Sequence, residues 1–142
     1  MKSYLLAASF ALSLLISPVQ AEQKKVLGPW DVHYIAFDST MIDAKIAQSY
    51  KLQRSMYMAV LNISVLNSSD QKAQQVRISG TATDLTQKRT ELEFREIKEG
   101  NAIYYLAQVP VHDQKHLTFH LDIWQGTENQ KLEFSQVFYT EQ

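Results

Sequence analysis

The ten residues from Tyr57 to Leu66, with the sequence YMAVLNISVL, constrain the fold more than any other stretch of the chain. Successive side chains of a β-strand point to opposite faces, so this run is apolar on both faces. One face carries Tyr57, Ala59, Leu61, Ile63 and Val65, and the other carries Met58, Val60 and Leu66. The sequence therefore predicts a central strand that needs layers above and below it, or close neighbours on both sides.

Other short runs of alternating apolar residues, separated by turn residues, predict about seven strands in total. The remaining strands are predicted at 30–37, 76–83, 90–97, 102–109 and 116–124, with a last one through 132–138. Ile42, Ile46, Ala47 and Tyr50 recur at helical spacing after Thr40, which predicts one helix of roughly ten residues. We expect an all-β fold, an antiparallel immunoglobulin-like sandwich with one short helix between its first two strands; a partly open barrel is the alternative.

The first 21 residues have the pattern of an export signal. Lys2 supplies a positive charge, an apolar core runs from Leu5 to Ile16, and small residues end the segment at Ala21. We predict cleavage after Ala21, which leaves residues 22–142 as one domain, soluble and periplasmic. The chain contains no cysteine, so neither disulfides nor a lipoprotein anchor are expected.

The charge of the chain argues against two classes of partner. The formal net charge is −1 at pH 7, and no run of basic residues occurs. Binding to nucleic acid or to an anionic membrane surface depends on clustered Lys and Arg side chains. We therefore expect no nucleic acid partner and no membrane span after signal cleavage.

Four stretches carry a resemblance to a known family. They are GPWDVHY at 28–34, AFDST at 36–40, NISVL at 62–66 and GNAIYYLAQ at 100–108. Across nearly all of the mature chain, the sequence resembles an uncharacterised family of exported bacterial proteins, domain of unknown function 4426. Asn101 and Met41 depart from the pattern, where an acidic and an aromatic residue are expected. The resemblance implies a periplasmic β domain and supplies no catalytic residue, cofactor or partner.

A metal site is one hypothesis for the polar residues. His33, His120, Asp122, Met56 and Met58 offer imidazole, carboxylate and thioether ligands, a set that suits copper. Residues two apart on a strand lie about 7 Å apart, so His120 with Asp122, or Met56 with Met58, needs a further ligand from another strand, such as His33. A carrier of copper or of a small ligand is therefore an alternative function.

Catalysis is a third hypothesis. Asp31 and His33 share one face of a predicted strand and could act as an acid and base pair. The chain lacks a Gly-x-Ser-x-Gly elbow, a His-Glu-x-x-His motif and a phosphate-binding glycine loop. We expect that the protein is not an enzyme, with hydrolase activity as the remaining possibility.

Six aromatic residues could form a recognition surface, because Tyr and Trp are enriched where proteins bind partners. The candidate patch comprises Trp30, Tyr34, Tyr104 and Trp124, while Tyr105 and Tyr139 complete the set. By strand alternation we expect about half of the six to lie in the core. The leading hypothesis is a non-enzymatic binding or accessory module that recognises a protein partner, or a second copy of itself, through this patch or through strand edges, without a cofactor.

Overall fold

Two antiparallel sheets packed face to face account for most of the computed structural model, which describes residues 22–113 and 115–139. The strands are β1 (Gln23–Leu27), β2 (Trp30–Asp38), β3 (Met58–Asn67), β4 (Arg77–Asp84), β5 (Arg89–Leu92), β6 (Arg95–Glu99), β7 (Ala102–Pro110), β8 (Lys115–Gln125) and β9 (Glu128–Phe138). A 3₁₀ turn (Ser39–Met41) and helix α1 (Ala44–Ser49) connect β2 to β3. The predicted signal segment and its cleavage site lie outside the described residues.

The order of the strands confirms the predicted sandwich. The five-stranded sheet has the order β1-β2-β3-β7-β6, and the four-stranded sheet has the order β5-β4-β8-β9. In an immunoglobulin-like sandwich the first, second, fifth and fourth strands form one sheet, and the others form the second. Strands β2, β3, β7 and β6 occupy the first set of positions, and β4, β8 and β9 the second. Strand β1 adds an edge to one sheet and β5 to the other.

Nine strands are described where about seven were predicted, for two reasons. The polar segment 23–27 forms β1 by pairing with β2, although its own sequence has no strand pattern. The predicted strand 90–97 is two strands, β5 and β6, which belong to different sheets. Leu92 is buried in the main core and Phe94 packs against it, so the apolar alternation of the sequence continues across the crossing. With β1 present, the helix lies between the second and third strands.

The main core lies between the two sheets, and β3 is central to it. Ala59, Leu61, Ile63 and Val65 all point inward and are fully buried, as predicted. Tyr57, which was assigned to the same face, precedes β3 and is 58% exposed. Its predicted inward position is therefore wrong, because the strand begins one residue later. No helix in the described ranges has the length and apolarity that crossing a bilayer requires.

Tyr105 links the two sheets through its hydroxyl group. Its side chain points inward from β7 and is only 4% exposed. The hydroxyl oxygen accepts a hydrogen bond from the Val76 N–H at 2.8 Å, just before β4, and the hydroxyl donates to Glu96 Oε2 at 2.9 Å. Burial, together with the Glu96 carboxylate, raises the pKa of Tyr105 to about 12. The hydroxyl thus pairs a backbone N–H at the point where the chain enters the second sheet.

Replacing Tyr105 by Phe should lower the free energy of unfolding by about 1–3 kcal/mol, because the Val76 N–H then loses its acceptor. Urea denaturation followed by tryptophan fluorescence measures the change. The matched control is Tyr139→Phe, which removes a hydroxyl from a largely exposed side chain and should leave stability unchanged. Equal unfolding midpoints for the two variants would contradict the role of the Tyr105 hydroxyl.

Gly80 in β4 marks a close approach of two strands. A Cβ atom at this position would lie 2.4 Å from the carbonyl oxygen of His120 and 2.5 Å from Leu121 Cδ2. Both contacts are on β8, which pairs with β4 and places Leu121 directly opposite Gly80. Only a residue without a side chain fits this register.

Gly80→Ala should therefore destabilise the protein by about 1–3 kcal/mol, the usual consequence of overpacking. The adjacent exposed position provides the control, since Ser79→Ala adds no atom near β8. Thermal unfolding monitored by circular dichroism compares the two variants. A midpoint for Gly80→Ala that matches the control would show that β8 moves freely to accept the methyl group.

Candidate functional site

The outer face of the five-stranded sheet is apolar around β3. Val60 points outward from β3 and is 0% exposed, although it faces away from the main core. It lies opposite Phe37 of β2, and Asn62 lies opposite Leu106 of β7. Ile97 of β6 lies opposite the outward-facing Tyr104. This face carries the second apolar surface of β3 that the sequence predicted, and it needs a cover of its own.

Helix α1 and the residues that follow it provide this cover. The helix begins after Asp43, whose side chain accepts a hydrogen bond from the Lys45 N–H at 2.8 Å. Ala47 and Leu52 are buried against Val60 in a hydrophobic cluster separate from the main core. We call residues 42–54 the covering segment. It spans six helical residues, fewer than the roughly ten predicted.

The cover is shorter than the surface beneath it. Six helical residues extend about 9 Å, whereas the ten residues of β3 extend about 33 Å. A cavity of about 310 Å³ remains between the covering segment and the sheet. We call it the helix pocket. It is lined by Phe37, Ile42, Ile46, Tyr50, Leu52, Val60, Asn62, Ile97, Glu99, Tyr104 and Leu106.

A few polar groups interrupt the apolar lining of the helix pocket. Asn62 lies in the middle of β3, and its buried Oδ1 atom has no hydrogen-bond partner among the described residues. At the rim, the Tyr50 hydroxyl donates a hydrogen bond to the Glu99 carboxylate. That hydrogen bond raises the pKa of Tyr50. An apolar cavity with a small number of placed polar groups is the usual form of a small-molecule site.

Side chains of β6 and β7 hold the covering segment in place. Arg95 Nη2 donates a hydrogen bond to the Lys51 carbonyl oxygen at 3.1 Å. Gln108 makes two hydrogen bonds with the backbone of Gln53, since Oε1 accepts from the N–H and Nε2 donates to the carbonyl, both at 2.9 Å. Lys51 itself has a φ of 57°, in the left-handed region. The segment is therefore fastened by its backbone to the sheet that it covers.

A second, polar cleft adjoins the helix pocket and shares Leu106 with it. This cleft has a volume of about 270 Å³ and is lined by Glu91, Glu93, Arg95, Leu106 and Gln108. The charged groups on its walls are thus two carboxylates and one guanidinium. Two carboxylates against one guanidinium give the walls of the cleft a net negative formal charge.

The predicted aromatic patch is not formed. Trp30 and Tyr34 point into the main core, where they are 1% and 8% exposed. Tyr104 lies on the outer face of the five-stranded sheet, and Trp124 lies on the outer face of the four-stranded sheet beneath the Arg77 guanidinium, 5.4 Å from its ring centroid. The expectation that about half of the six aromatics are core is confirmed by Trp30, Tyr34 and Tyr105.

The five candidate copper ligands are not brought together. His33 is on the outer face of the five-stranded sheet, whereas His120 and Asp122 are on the outer face of the four-stranded sheet, with both layers of the sandwich between them. His33 pairs with Ser64 of β3, and Met58 lies six residues along the strand from Ser64, about 20 Å away. Met56 precedes β3. No group of three potential His, Cys, Asp or Glu ligands occurs in residues 22–113 and 115–139.

Asp31 and His33 share an outer face, as predicted, but they have different partners. The Asp31 carboxylate accepts hydrogen bonds from Ser68 Oγ at 2.7 Å and Gln71 Nε2 at 2.9 Å. These bonds lower the pKa of Asp31. His33 Nδ1 lies 3.6 Å from Glu22 Oε1. Asp31 therefore anchors the loop between β3 and β4 rather than orienting His33.

The helix pocket was not identified from the sequence, although its signals were present. In the sequence Ile42, Ile46 and Tyr50 recur at helical spacing, and in the structure all three line the pocket, although only Ile46 lies within α1. Val60 belongs to the second apolar face of the central strand, and it forms part of the floor. Combining these two patterns predicts a helix packed on the outer face of the sheet. The missing information was the length of the helix, which determines how much of that face stays open.

Comparisons with known proteins agree with this fold. A family model described as a domain of unknown function, DUF4426, matches residues 24–141. The crystal structure of a DUF4426 family protein from Pseudomonas aeruginosa PAO1 is similar, with 31% sequence identity and a TM-score of 0.75, over 85% of this chain and 97% of that one. No curated protein matches the sequence.

The fold is also similar to FetP of uropathogenic Escherichia coli strain F11, recombinantly expressed in the periplasm. Sequence identity is 12% and the TM-score is 0.55, over 84% of this chain and 93% of FetP. A copper-bound variant of FetP gives the same identity and TM-score, over 87% of this chain and 92% of that one. At this identity the likeness is one of fold.

Gln108→Ala should loosen the covering segment, because it removes both hydrogen bonds to Gln53. We expect faster amide hydrogen exchange in residues 50–54, with little change in global stability, since the bonds are solvent-exposed. Gln125→Ala is the matched control, as it removes two side-chain hydrogen bonds to the Gln74–Gln75 segment elsewhere. Unchanged exchange in 50–54 would contradict the fastening role of Gln108.

Proposed function

This chain belongs to the DUF4426 family, whose function is unknown, and we propose that it is a non-enzymatic binding module that holds a small, largely apolar molecule in the helix pocket. The observation that carries this proposal is the incomplete cover over the outer face of β3. An apolar cavity that stays open to solvent gains free energy when a ligand buries its surface, at about 25 cal/mol per Å². The volume of about 310 Å³ is at the lower end of the range for ligand pockets.

Two features of the helix pocket suit ligand binding rather than simple packing. Asn62 places a polar side chain in the middle of an otherwise apolar floor, where an aliphatic residue would pack without an unpaired atom. A buried acceptor without a partner costs about 1–3 kcal/mol, and a ligand donor that reaches it would recover this free energy. The covering segment is held mainly by exposed hydrogen bonds, which break at low cost when a ligand enters.

The same geometry ranks the other candidate functions lower. Recognition of a protein partner through an aromatic patch has lost its main support, because the four aromatics are divided between the core and two opposite faces. Copper carriage by His33, His120, Asp122, Met56 and Met58 would need ligands from both outer faces of the sandwich. Hydrolysis by Asp31 and His33 would need the Asp31 carboxylate to give up its hydrogen bonds with Ser68 and Gln71.

A periplasmic location is part of the proposal, supported by the export pattern of residues 1–21.

The test uses the fluorescent probe N-phenyl-1-naphthylamine, which is apolar and uncharged at neutral pH. We expect saturable binding of one probe per chain, with a Kd in the micromolar range. Ile97→Trp should weaken binding at least tenfold, because Ile97 is half-buried in the pocket wall and the larger indole fills the cavity. Thermal unfolding of the variant verifies that it is folded.

Leu85→Trp is the matched control. It introduces the same indole at a largely exposed residue in the turn between β4 and β5, on the other sheet. This variant should bind the probe like the wild-type protein. Absence of saturable binding to the wild-type protein, or equal loss in both variants, would overturn the proposal.

A further inference from the structure

We infer that the helix pocket selects organic amines in their protonated, cationic form. This inference rests on the proposed function and specifies the class of ligand. Three properties of the pocket support it: the charge on its rim, the aromatic rings in its wall and the hydrogen-bonding character of its polar atoms.

The charges around the helix pocket favour a cation. Glu99 is the one charged residue that lines it among the described residues, and it lies at the rim beside Tyr50. The adjoining cleft adds two carboxylates, from Glu91 and Glu93, and one cation, from Arg95. Arg95 donates to the Lys51 carbonyl oxygen, which holds one guanidinium nitrogen at the covering segment.

The lysines of the covering segment do not reverse this balance. Lys45 and Lys51 are both exposed, and neither lines the helix pocket or the adjoining cleft. On β6, Lys98 lies on the opposite side of the strand from Glu99 and is within 3.9 Å of Glu96. Arg54, the remaining cation of the covering segment, donates to the carbonyl oxygens of Ile42 at 2.7 Å and Thr40 at 3.0 Å and also lines neither cavity. Glu99 is therefore the charged side chain that faces a ligand in the pocket among the described residues.

Aromatic rings line the pocket on two sides. Phe37 comes from β2, Tyr104 from β7 and Tyr50 from the end of α1. The face of an aromatic ring carries negative electrostatic potential, and a cation placed over it is stabilised, more strongly when water is excluded. Rings combined with a nearby carboxylate form the usual recognition site for ammonium groups. A neutral hydrocarbon gains only from burial and makes no use of Glu99.

Two acceptor groups of the pocket can take a hydrogen bond from a ligand. The buried Asn62 Oδ1 has no donor among the described residues, and the Glu99 carboxylate can accept more than the single bond from Tyr50. A protonated amine supplies N–H donors and no acceptor, so it complements this set. An anionic ligand would supply acceptors only and would face the Glu99 charge. A protonated amine therefore matches the pocket both by its positive charge and by its N–H donors.

The experiment compares three probes of similar size and different charge: 2-phenylethylammonium, 2-phenylethanol and 3-phenylpropanoate. Each displaces N-phenyl-1-naphthylamine from the wild-type protein in a fluorescence competition at pH 7. We expect the ammonium probe to bind about tenfold more tightly than the alcohol, and the carboxylate probe to bind more weakly than both.

Glu99→Gln tests the source of this selectivity. The side-chain carbonyl of the introduced glutamine can still accept the hydrogen bond from Tyr50, so the cover stays in place while the charge is lost. We expect the advantage of the ammonium probe over the alcohol to fall at least threefold, with the affinity for the alcohol unchanged. Lys98→Gln is the matched control on the neighbouring residue, and it should preserve the selectivity because Lys98 does not line the pocket.

The outcomes separate this inference from the function on which it rests. Equal binding of all three probes, or selectivity that survives Glu99→Gln, overturns the inference while pocket binding stands. Tighter binding of the carboxylate probe overturns it as well. If N-phenyl-1-naphthylamine itself does not bind, the proposed function fails, and calorimetric titration with 2-phenylethylammonium then decides the inference. Absence of binding heat in that titration overturns both.

Discussion

The burial of β3 on both faces is the constraint on which the rest of this structure depends. Its inner face, from Ala59 to Val65, packs against the four-stranded sheet and forms the main core. Its outer face includes Val60, which is as fully buried as the core residues but has no second sheet above it. A helix between β2 and β3 therefore has to lie back on the sheet, and helix α1 does so through Ala47.

The candidate site follows from a mismatch in this cover. A helix of six residues cannot span a strand of ten residues, because the rise per residue in a strand is about twice that in a helix. The uncovered part of the sheet keeps its apolar character, interrupted by Asn62, by Glu99 and by the tyrosine hydroxyls of the lining. Binding capacity and the local weakness of the fold thus have the same physical origin: the covering segment packs through few buried side chains and is fastened by exposed hydrogen bonds.

Sequence reasoning succeeded where a single strand carries its own pattern. The inward set of β3 from Ala59 to Val65 follows from side-chain alternation, and the same rule predicted that about half of the six aromatics lie in the core, although it did not exclude Trp30 and Tyr34 from the candidate patch. It failed where the outcome depends on a neighbour. Strand β1 is polar and exists through its pairing with β2, and the segment 90–97 divides because β5 and β6 pair with strands of different sheets. The five proposed metal ligands were grouped by chemistry, and the sandwich separates them.

The sequence by itself determined an antiparallel all-β fold, with a strand that requires cover on both faces and one short helix, and left a sandwich and a partly open barrel as its two forms. Those properties are local, because side-chain alternation and helical spacing depend only on residues close together in the sequence. Only the tertiary structure decided which residues meet in the helix pocket, since Tyr50, Asn62, Glu99 and Tyr104 come from four different elements. Their proximity depends on strand order, register and helix length, which no single stretch of sequence specifies.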